Sequence, residues 1–196
     1  MRSSYIHFKQ VTDRVVSLIL IIVLSWLFLL IIILYVITGN KPVFFVQERI
    51  GKNNRPFRLY KFRTLKNVVA SIQERRFWLG NLMRYTSLDE LPQLINVLRG
   101  EMSLIGPRPL PVTYLLRFNK EQQKRHLVMP GITGLAQVNG RNSITWTEKF
   151  NFDLYYVNNL SIVLDITIIL KTIILLLSFR KDSSLQEKEF TGNNDT

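Results

Sequence analysis

The sequence predicts a mostly helical α+β protein, anchored to a membrane by a re-entrant N-terminal helix, with a small cytosolic domain and interfacial amphipathic helices. Three observations predict this fold class: a 23-residue stretch without charge at 15–37, strand-like segments flanking a Gly-Lys-Asn-Asn turn, and helical patterns bounded by proline and glycine. A length of 196 residues is typical of one domain with accessories. We therefore divide the chain into an anchor over 1–38, a folded domain over 39–180, and a polar tail over 181–196, predicted to be disordered.

The apolar stretch at 15–37 is long enough for a membrane helix, since about 20 residues cover the hydrocarbon core. It is too long for the apolar part of a signal peptide. Arg2, Lys9 and Arg14 precede it and basic residues follow it. Basic flanks are typical of the cytoplasmic side, so a helix that enters and returns to one face is favoured. No proline breaks the stretch, but the Ser25 hydroxyl could bend the helix; an unbroken helix would instead cross the membrane.

The formal net charge of +12 is concentrated after the anchor. Between residues 41 and 66 eight basic residues face one acid, a composition that attracts anionic lipid headgroups. Nucleic acid would also suit such charge, but the adjacent apolar stretch argues for lipid and for no nucleic-acid partner. The absence of cysteine excludes disulfides, thiolate zinc sites and thiol nucleophiles.

The folded domain opens with a predicted β-hairpin, whose strands cover 43–47 and 57–64 and whose turn is 51–54. A helix is predicted over 67–84. A shorter helix over 92–99 has proline in its first turn and glycine just past its end.

Two further helices are predicted in the second half of the domain. The first is amphipathic and covers 112–126. The second, 160–179, is apolar but carries Asp165 and Lys171; an interfacial helix accommodates these charges better than a second transmembrane span does. Asp165 is expected to cap the helix or to form an ion pair.

The adjacent carboxylates Asp89 and Glu90 are the main candidates for chemistry. Ser87 and Glu90 match a capping box, in which both side chains would only satisfy backbone donors; alternatively the helix begins at Pro92 and the acids precede it. In both cases Asp89 lies at a helix N-terminus, whose dipole favours an ionised carboxylate. Such a carboxylate is a candidate nucleophile and a ligand for Mg²⁺, which binds few carboxylates together with phosphate oxygens.

Arginines near this pair are candidates for binding phosphate, because the guanidinium group grips phosphate through two parallel hydrogen bonds. The candidates are Arg84, Arg108 and Arg141. Pro107 and Pro109 flank Arg108 and fix the backbone around it.

The segment 130–142 contains three glycines, which would allow backbone to approach a ligand closely. It lacks the Walker pattern, and a buried turn is the alternative interpretation. Asp153 is a possible further site residue, because Tyr155 and Tyr156 lie beside it.

Three motifs together resemble the bacterial sugar transferase family, the monotopic phosphoglycosyl transferases. They read KFRT at 61–64, SLDELPQLINVLRGEMSLIGPRP at 87–109 and PGITGLAQVNGRN at 130–142. The resemblance covers about residues 10–180. This chain has Ser25-Trp26 where the family has a Ser-Pro kink, Gly100-Glu101 where many members have Gly-Asp, and a short stretch between residues 64 and 84.

The resemblance implies transfer of a sugar 1-phosphate from a UDP-sugar to undecaprenyl phosphate, with release of UMP and Mg²⁺ as cofactor. It implies that Asp89 is the nucleophile that carries a covalent phosphosugar, that Glu90 is its partner, and that Pro107-Arg108-Pro109 belongs to the nucleotide site. The expected location is the cytoplasmic face of the bacterial inner membrane. The sugar is not specified, although the compact length favours N-acetylated or diacetamido sugars. The alternative function is a non-catalytic, membrane-tethered basic protein that binds anionic lipid or nucleic acid.

Overall fold

The computed structural model describes residues 2–140, 143–178 and 189–192. The protein has the α+β, mostly helical composition that the sequence predicts, with eight α-helices and two small two-stranded sheets in these ranges. The predicted tail lies mainly outside them, and so does Arg141.

The N-terminal apolar stretch is split between two helices, α1 (Arg2–Val23) and α2 (Ser25–Ile37). No single helix in the described part of the chain is both long and apolar enough to cross a membrane, whereas residues 4–23 and 25–37, bent by 58°, meet those criteria together. The bend falls at Leu24 without a proline. The Ser25 hydroxyl forms no hydrogen bond with the described residues, so the predicted cause of the bend is wrong.

One face of α1 packs against the folded domain. The Ser17 hydroxyl donates to the carbonyl of Leu94 at 2.6 Å. Arg14 lies over Gly100, which has φ +77°; a Cβ added there would lie 2.2 Å from an Arg14 nitrogen. Glycine is favoured at position 100 by the left-handed backbone, whereas the flexible end of the Arg14 side chain could move aside.

A buried polar network also joins α1 to the C-terminal part of the chain. Lys9 Nζ lies 2.8 Å from Asp165 Oδ2 and 3.4 Å from Asp13 Oδ2. The Tyr5 hydroxyl donates to Asp165 Oδ2 at 2.6 Å, and the hydroxyl of Ser103 donates to Asp13. The prediction that Asp165 forms an ion pair is confirmed, and its partner is on the helix assigned to the anchor.

The predicted hairpin is present. Strands β1 (Phe44–Ile50) and β2 (Pro56–Phe62) pair antiparallel, and the turn between them places Asn53 and Asn54 at positive φ. Asparagine tolerates the left-handed region better than most residues, which explains why the turn forms there.

Helices α3 (Trp78–Thr86) and α4 (Gln93–Arg99) follow. The helix predicted over 67–84 is wrong in its first half, where the chain forms turns, whereas the helix predicted over 92–99 is confirmed with Pro92 as its N-cap and Gly100 as its C-cap.

Strands β3 (Ser103–Ile105) and β4 (Gly131–Thr133) pair in parallel and place the Gly-Pro-Arg-Pro segment beside the Pro-Gly segment. A Cβ added at Gly131 would lie 2.1 Å from the backbone nitrogen of Gly106. The glycine-rich segment therefore begins with a tightly packed strand, which agrees with the alternative interpretation that this segment is buried.

The single helix predicted over 112–126 is wrong. The chain forms a 3₁₀ helix over Val112–Arg117, the short helix α5 (Lys120–Gln123), and a 3₁₀ helix over Lys124–Leu127. The break follows from Phe118, which is extended, and from Asn119, which starts α5 with a capping box.

The remaining helices are α6 (Leu135–Val138), α7 (Trp146–Asn158) and α8 (Ile162–Leu177). The predicted charges on α8 face protein groups: Tyr156 donates to Asp165 Oδ1 at 2.8 Å, and Lys171 donates to Asn139 Oδ1 at 3.0 Å. Phe190, almost fully buried, packs among Tyr114, Phe118, Trp146 and Phe150.

Candidate active site

The Asp89-Glu90 pair lies in a 3₁₀ turn (Leu88–Glu90) between α3 and α4. Ser87 ends α3 in the left-handed conformation at φ 58° and makes no side-chain cap hydrogen bond. The capping-box interpretation is therefore wrong, and Glu90 is available for side-chain contacts elsewhere. Asp89 retains only 9% of its surface exposed.

Glu90 is held by two cations from distant parts of the chain. Lys61, on β2, donates to Glu90 Oε1 at 2.6 Å, and Arg108 donates to the same oxygen at 3.0 Å. Lys61 Nζ also lies 3.8 Å from Asp89 Oδ2. A single ammonium group thus contacts both carboxylates, while Glu90 fixes both cations.

The two carboxylates differ in pKa because their surroundings differ. Burial raises the pKa of Asp89 to about 6, with the nearby Glu90 also raising it and Lys61 opposing the rise. Burial acts in the same direction on Glu90, but attraction and hydrogen bonds from Lys61 and Arg108 prevail and lower the pKa of Glu90 to about 2. Desolvation is the largest influence on the pKa of Asp89, but at about 6 that pKa still leaves the predicted ionised form predominant at pH 7.

Arg84 adds a further cation to the pair. It lies in the last turn of α3, and its Nε and terminal nitrogen donate to Thr64 Oγ1 at 3.0 and 2.7 Å. Its positive charge acts to lower the pKa of Asp89. The structure thus brings Arg84 and Arg108 together with the acidic pair, while phosphate binding by the three candidate arginines stays a prediction.

These residues line one open cavity of about 710 Å³. Its lining contains two contrasting groups. We call the first the cationic wall: Lys61, Arg84, Arg108, Arg125 and Lys149. We call the second the apolar wall: Leu20, Leu24, Leu91, Leu94, Ala136, Leu175 and Leu176. Asp89 and Glu90 line the same cavity, so a molecule bound there contacts the acidic pair, positive charge and hydrocarbon together.

The Pro107-Arg108-Pro109 backbone is fixed from three sides. The carbonyl of Pro107 accepts from the Gly131 N–H at 3.0 Å, that of Arg108 accepts from Arg125 at 2.8 Å, and that of Pro109 accepts from Arg49 at 3.4 Å. Arg108 lines both the main cavity and a smaller depression, whereas the two prolines line the depression alone. The prolines therefore support the arginine and lie outside the main cavity lining.

Asp153 lines the cavity, but its carboxylate is engaged. Arg125 donates to Asp153 Oδ2 from Nε at 2.9 Å and from a terminal nitrogen at 2.7 Å, and both residues are 3% exposed. Burial raises the pKa of Asp153, against the attraction of Arg125. Asp153 thus holds Arg125, which in turn holds the backbone of Arg108.

Lys61 and Arg125 are the site residues that sequence reasoning missed. Lys61 lies in the KFRT motif, but the sequence distinguishes it in no way from the other basic residues between 41 and 66. Arg125 lies in a segment that was interpreted as one amphipathic helix. Neither residue has a local signal for its role, because their partners lie 29 and 28 residues away.

The residues present are compatible with a bound Mg²⁺ ion at Asp89. The described residues contain no group of three or more acidic or histidine side chains that could hold a metal, so an all-protein cage is not formed there. Mg²⁺ usually binds one or two carboxylates together with substrate phosphates. Glu90 is already engaged by two cations, so Asp89 would be the carboxylate ligand of such an ion.

In this small α+β protein a buried carboxylate pair and several cations share an open cavity, an arrangement that suits anionic substrates. The family comparison makes the assignment specific. Residues 4–179 match the model of the bacterial sugar transferase family, and the chain belongs to that family.

Similar proteins include members with and without an assigned reaction. The uncharacterized sugar transferase EpsL of Bacillus subtilis is 40% identical over 196 residues, covering 95% of this chain and 97% of the relative. The UDP-N-acetylgalactosamine-undecaprenyl-phosphate N-acetylgalactosaminephosphotransferase of Aeromonas hydrophila is 38% identical and covers 89% of this chain and 44% of the relative. The UDP-glucose:undecaprenyl-phosphate glucose-1-phosphate transferase of Klebsiella pneumoniae is also 38% identical, covering 85% of this chain and 39% of the relative.

Proposed function

We propose that this protein transfers a sugar 1-phosphate from a UDP-sugar to undecaprenyl phosphate, releasing UMP, as the first membrane step of surface-glycan assembly. The observation that carries the proposal is the position of Asp89, buried beside Glu90 and among Lys61, Arg84 and Arg108. The names of the Aeromonas and Klebsiella relatives support the same reaction class. A protein that only binds anions would account for Glu90, which holds two cations, but not for the buried carboxylate of Asp89 beside it.

Asp89 acts as the nucleophile. Its carboxylate oxygen attacks the β-phosphorus of the UDP-sugar, the bond to the bridging oxygen breaks, and UMP leaves with that oxygen. The sugar phosphate remains joined to Asp89 as an acyl phosphate. A phosphate oxygen of undecaprenyl phosphate then attacks the same phosphorus, which releases Asp89 and forms the diphosphate-linked lipid sugar. Covalent catalysis of this kind divides one difficult step into two easier ones.

Glu90 and the cations prepare this reaction electrostatically. A carboxylate approaching a diphosphate is repelled unless positive charge offsets the repulsion. Lys61, Arg84 and Arg108 supply that charge at fixed positions, and Glu90 holds two of them in place. Mg²⁺, which we propose is held by Asp89 and the substrate phosphates, would neutralise further phosphate charge.

We also propose that residues 1–38 form the membrane anchor of a protein located at the bacterial cytoplasmic membrane, with residues 39–180 as the catalytic domain on its cytoplasmic face. The bend between α1 and α2 supports re-entry. Apolar side chains on α2 and α8 are exposed, such as Trp26 at 63% and Leu177 at 69%, and exposed apolar area of this kind marks lipid or protein contact. Anionic lipid headgroups would attract the basic block that follows the anchor.

The test uses the purified full chain in lipid nanodiscs with undecaprenyl phosphate, Mg²⁺ and a panel of UDP-sugars. UMP should be released with one or a few sugars. Asp89→Asn should abolish release while leaving the fold intact by circular dichroism, and mass spectrometry should find a sugar phosphate on the peptide containing Asp89 when the acceptor is withheld. Glu121→Gln, a change at an exposed helix residue, is the matched control. Substantial turnover by Asp89→Asn would refute the covalent assignment.

A further inference from the structure

The apolar wall of the cavity is not explained by a water-soluble donor. A nucleotide sugar carries hydroxyl and phosphate groups that need hydrogen-bond partners when they are buried. The apolar wall offers leucine and alanine side chains from α1, α4, α6 and α8, together with Leu24 at the bend and Leu91 just before α4. The hydroxyl group of Thr172, which also lines the cavity, already bonds the carbonyl of Ile168 and the hydroxyl of Thr133, each at 2.8 Å.

Helices α1 and α8 are joined at one end and reach the cavity at the other. The Lys9–Asp165 ion pair and the Tyr5–Asp165 hydrogen bond tie them together. Leu20 lies about 16 Å further along α1 from Lys9, and Leu175 lies about 15 Å further along α8 from Asp165, at 1.5 Å per residue. The distal ends of both helices line the same cavity.

The outer surfaces of the same helix ends are apolar and exposed. Ile22 on α1 is 64% exposed, and Ile174 and Leu177 on α8 are 67% and 69% exposed. A hydrocarbon chain could therefore pass from these surfaces to the apolar wall without entering water. Burial of each CH₂ group stabilises such a chain by about 0.8 kcal/mol.

We propose that the apolar wall binds the phosphate-proximal isoprene units of a polyprenyl phosphate acceptor. The chain enters between the end of α1 at Leu20 and Leu24 and the end of α8 at Leu175 and Leu176, and its phosphate is presented to Asp89. The donor occupies the cationic wall. This assignment rests on the proposed function, and it names the place where the second substrate binds.

The kinetic test compares two double variants. Leu20→Gln with Leu176→Gln places amides on the apolar wall, on α1 and α8. Ile22→Gln with Leu177→Gln places the same groups on the same helices at exposed positions outside the cavity lining. We expect the first variant to raise the KM for undecaprenyl phosphate by at least about tenfold, while the UMP burst without acceptor is unchanged in both. Equal KM changes in both variants, or a change in the burst alone, would overturn the assignment.

A binding test covers the case in which the polar variants fold poorly. The full chain, carrying a photoreactive benzoylphenylalanine at position 176 or 177, is illuminated in nanodiscs containing radiolabelled undecaprenyl phosphate. We expect labelling at 176 well above that at 177, unaffected by excess phosphatidylglycerol. Equal labelling, or displacement by phosphatidylglycerol, would mean that bulk lipid occupies the wall and would refute the inference. Selective labelling without a UMP burst for any UDP-sugar would instead refute the proposed function.

Discussion

Lys61→Met is the substitution that most directly tests the electrostatics of the site. Lys61 contacts Glu90 Oε1 at 2.6 Å and lies 3.8 Å from Asp89 Oδ2. Methionine keeps most of the side-chain length and removes the charge. Without Lys61, burial and the charge of Glu90 both act to raise the pKa of Asp89 further.

The size of the change in the pKa of Asp89 follows from the distance between Lys61 Nζ and Asp89 Oδ2. At 3.8 Å and an effective dielectric constant of about 20, two unit charges interact by about 4 kcal/mol. Solvent in the open cavity screens part of this interaction, so we take about half of it, or about 2 kcal/mol. At 1.36 kcal/mol per pKa unit, the pKa of Asp89 should rise by about 1.5 units.

The direction of the pKa change determines how the loss of activity depends on pH. Asp89 must be ionised to attack, so a higher pKa moves the acidic limb of the rate profile to higher pH. Starting from a pKa of about 6, the variant should lose more than about tenfold in the UMP burst at pH 6, and the loss should shrink above pH 8.5. A pH-independent loss from weaker diphosphate binding is expected in addition.

The assay is the UMP burst without acceptor, measured from pH 5.5 to 9 at saturating UDP-sugar and constant Mg²⁺. Lys120→Met, at an exposed lysine outside the cavity lining, is the control. If the Lys61→Met loss were the same at every pH, Lys61 would not set the ionisation of Asp89, and the reasoning would fail.

Three further outcomes are expected. Arg108→Lys keeps the charge but loses the planar fork, so the KM for the UDP-sugar should rise; unchanged kinetics would place the nucleotide contact elsewhere. Asp153→Asn leaves a buried guanidinium group without its counter-charge, which should cost about 3–5 kcal/mol in the free energy of unfolding; a thermal midpoint equal to that of the native protein would contradict this. Single cysteines at Ser4 and Ser184 should both resist an impermeant thiol reagent on intact cells, and labelling at position 4 alone would establish a full crossing.

Local sequence signals predicted the elements whose geometry is fixed by neighbouring residues. The asparagine turn of the hairpin and the proline and glycine at the two ends of α4 are of this kind. The helix predicted over 112–126 is wrong because Asn119 starts α5 with a capping box and so divides the segment, which apolar periodicity alone does not indicate. The helix predicted over 67–84 is wrong over 67–77, where the chain forms turns, and α3 begins only at Trp78.

The choice between a capping role and a site role for Glu90 depended on one backbone angle. Ser87 adopts φ 58°, which removes its side chain from the capping position. A sequence pattern gives the spacing of Ser87 and Glu90 but not that angle. The capping-box match was therefore a correct observation with a wrong structural consequence.

The sequence by itself determined the mostly helical α+β class, the apolar N-terminal stretch, the acidic pair and the arginine between two prolines. Each depends on residues that are adjacent or one helical turn apart, where covalent geometry sets the relation. Tertiary structure alone decided that Lys61 joins Glu90, that Arg125 holds Asp153, and that Tyr5 bonds Asp165 across 160 residues. Such pairs form because packing buries charges that must then be paired, and side-chain periodicity indicates which face is buried but not which residue it meets.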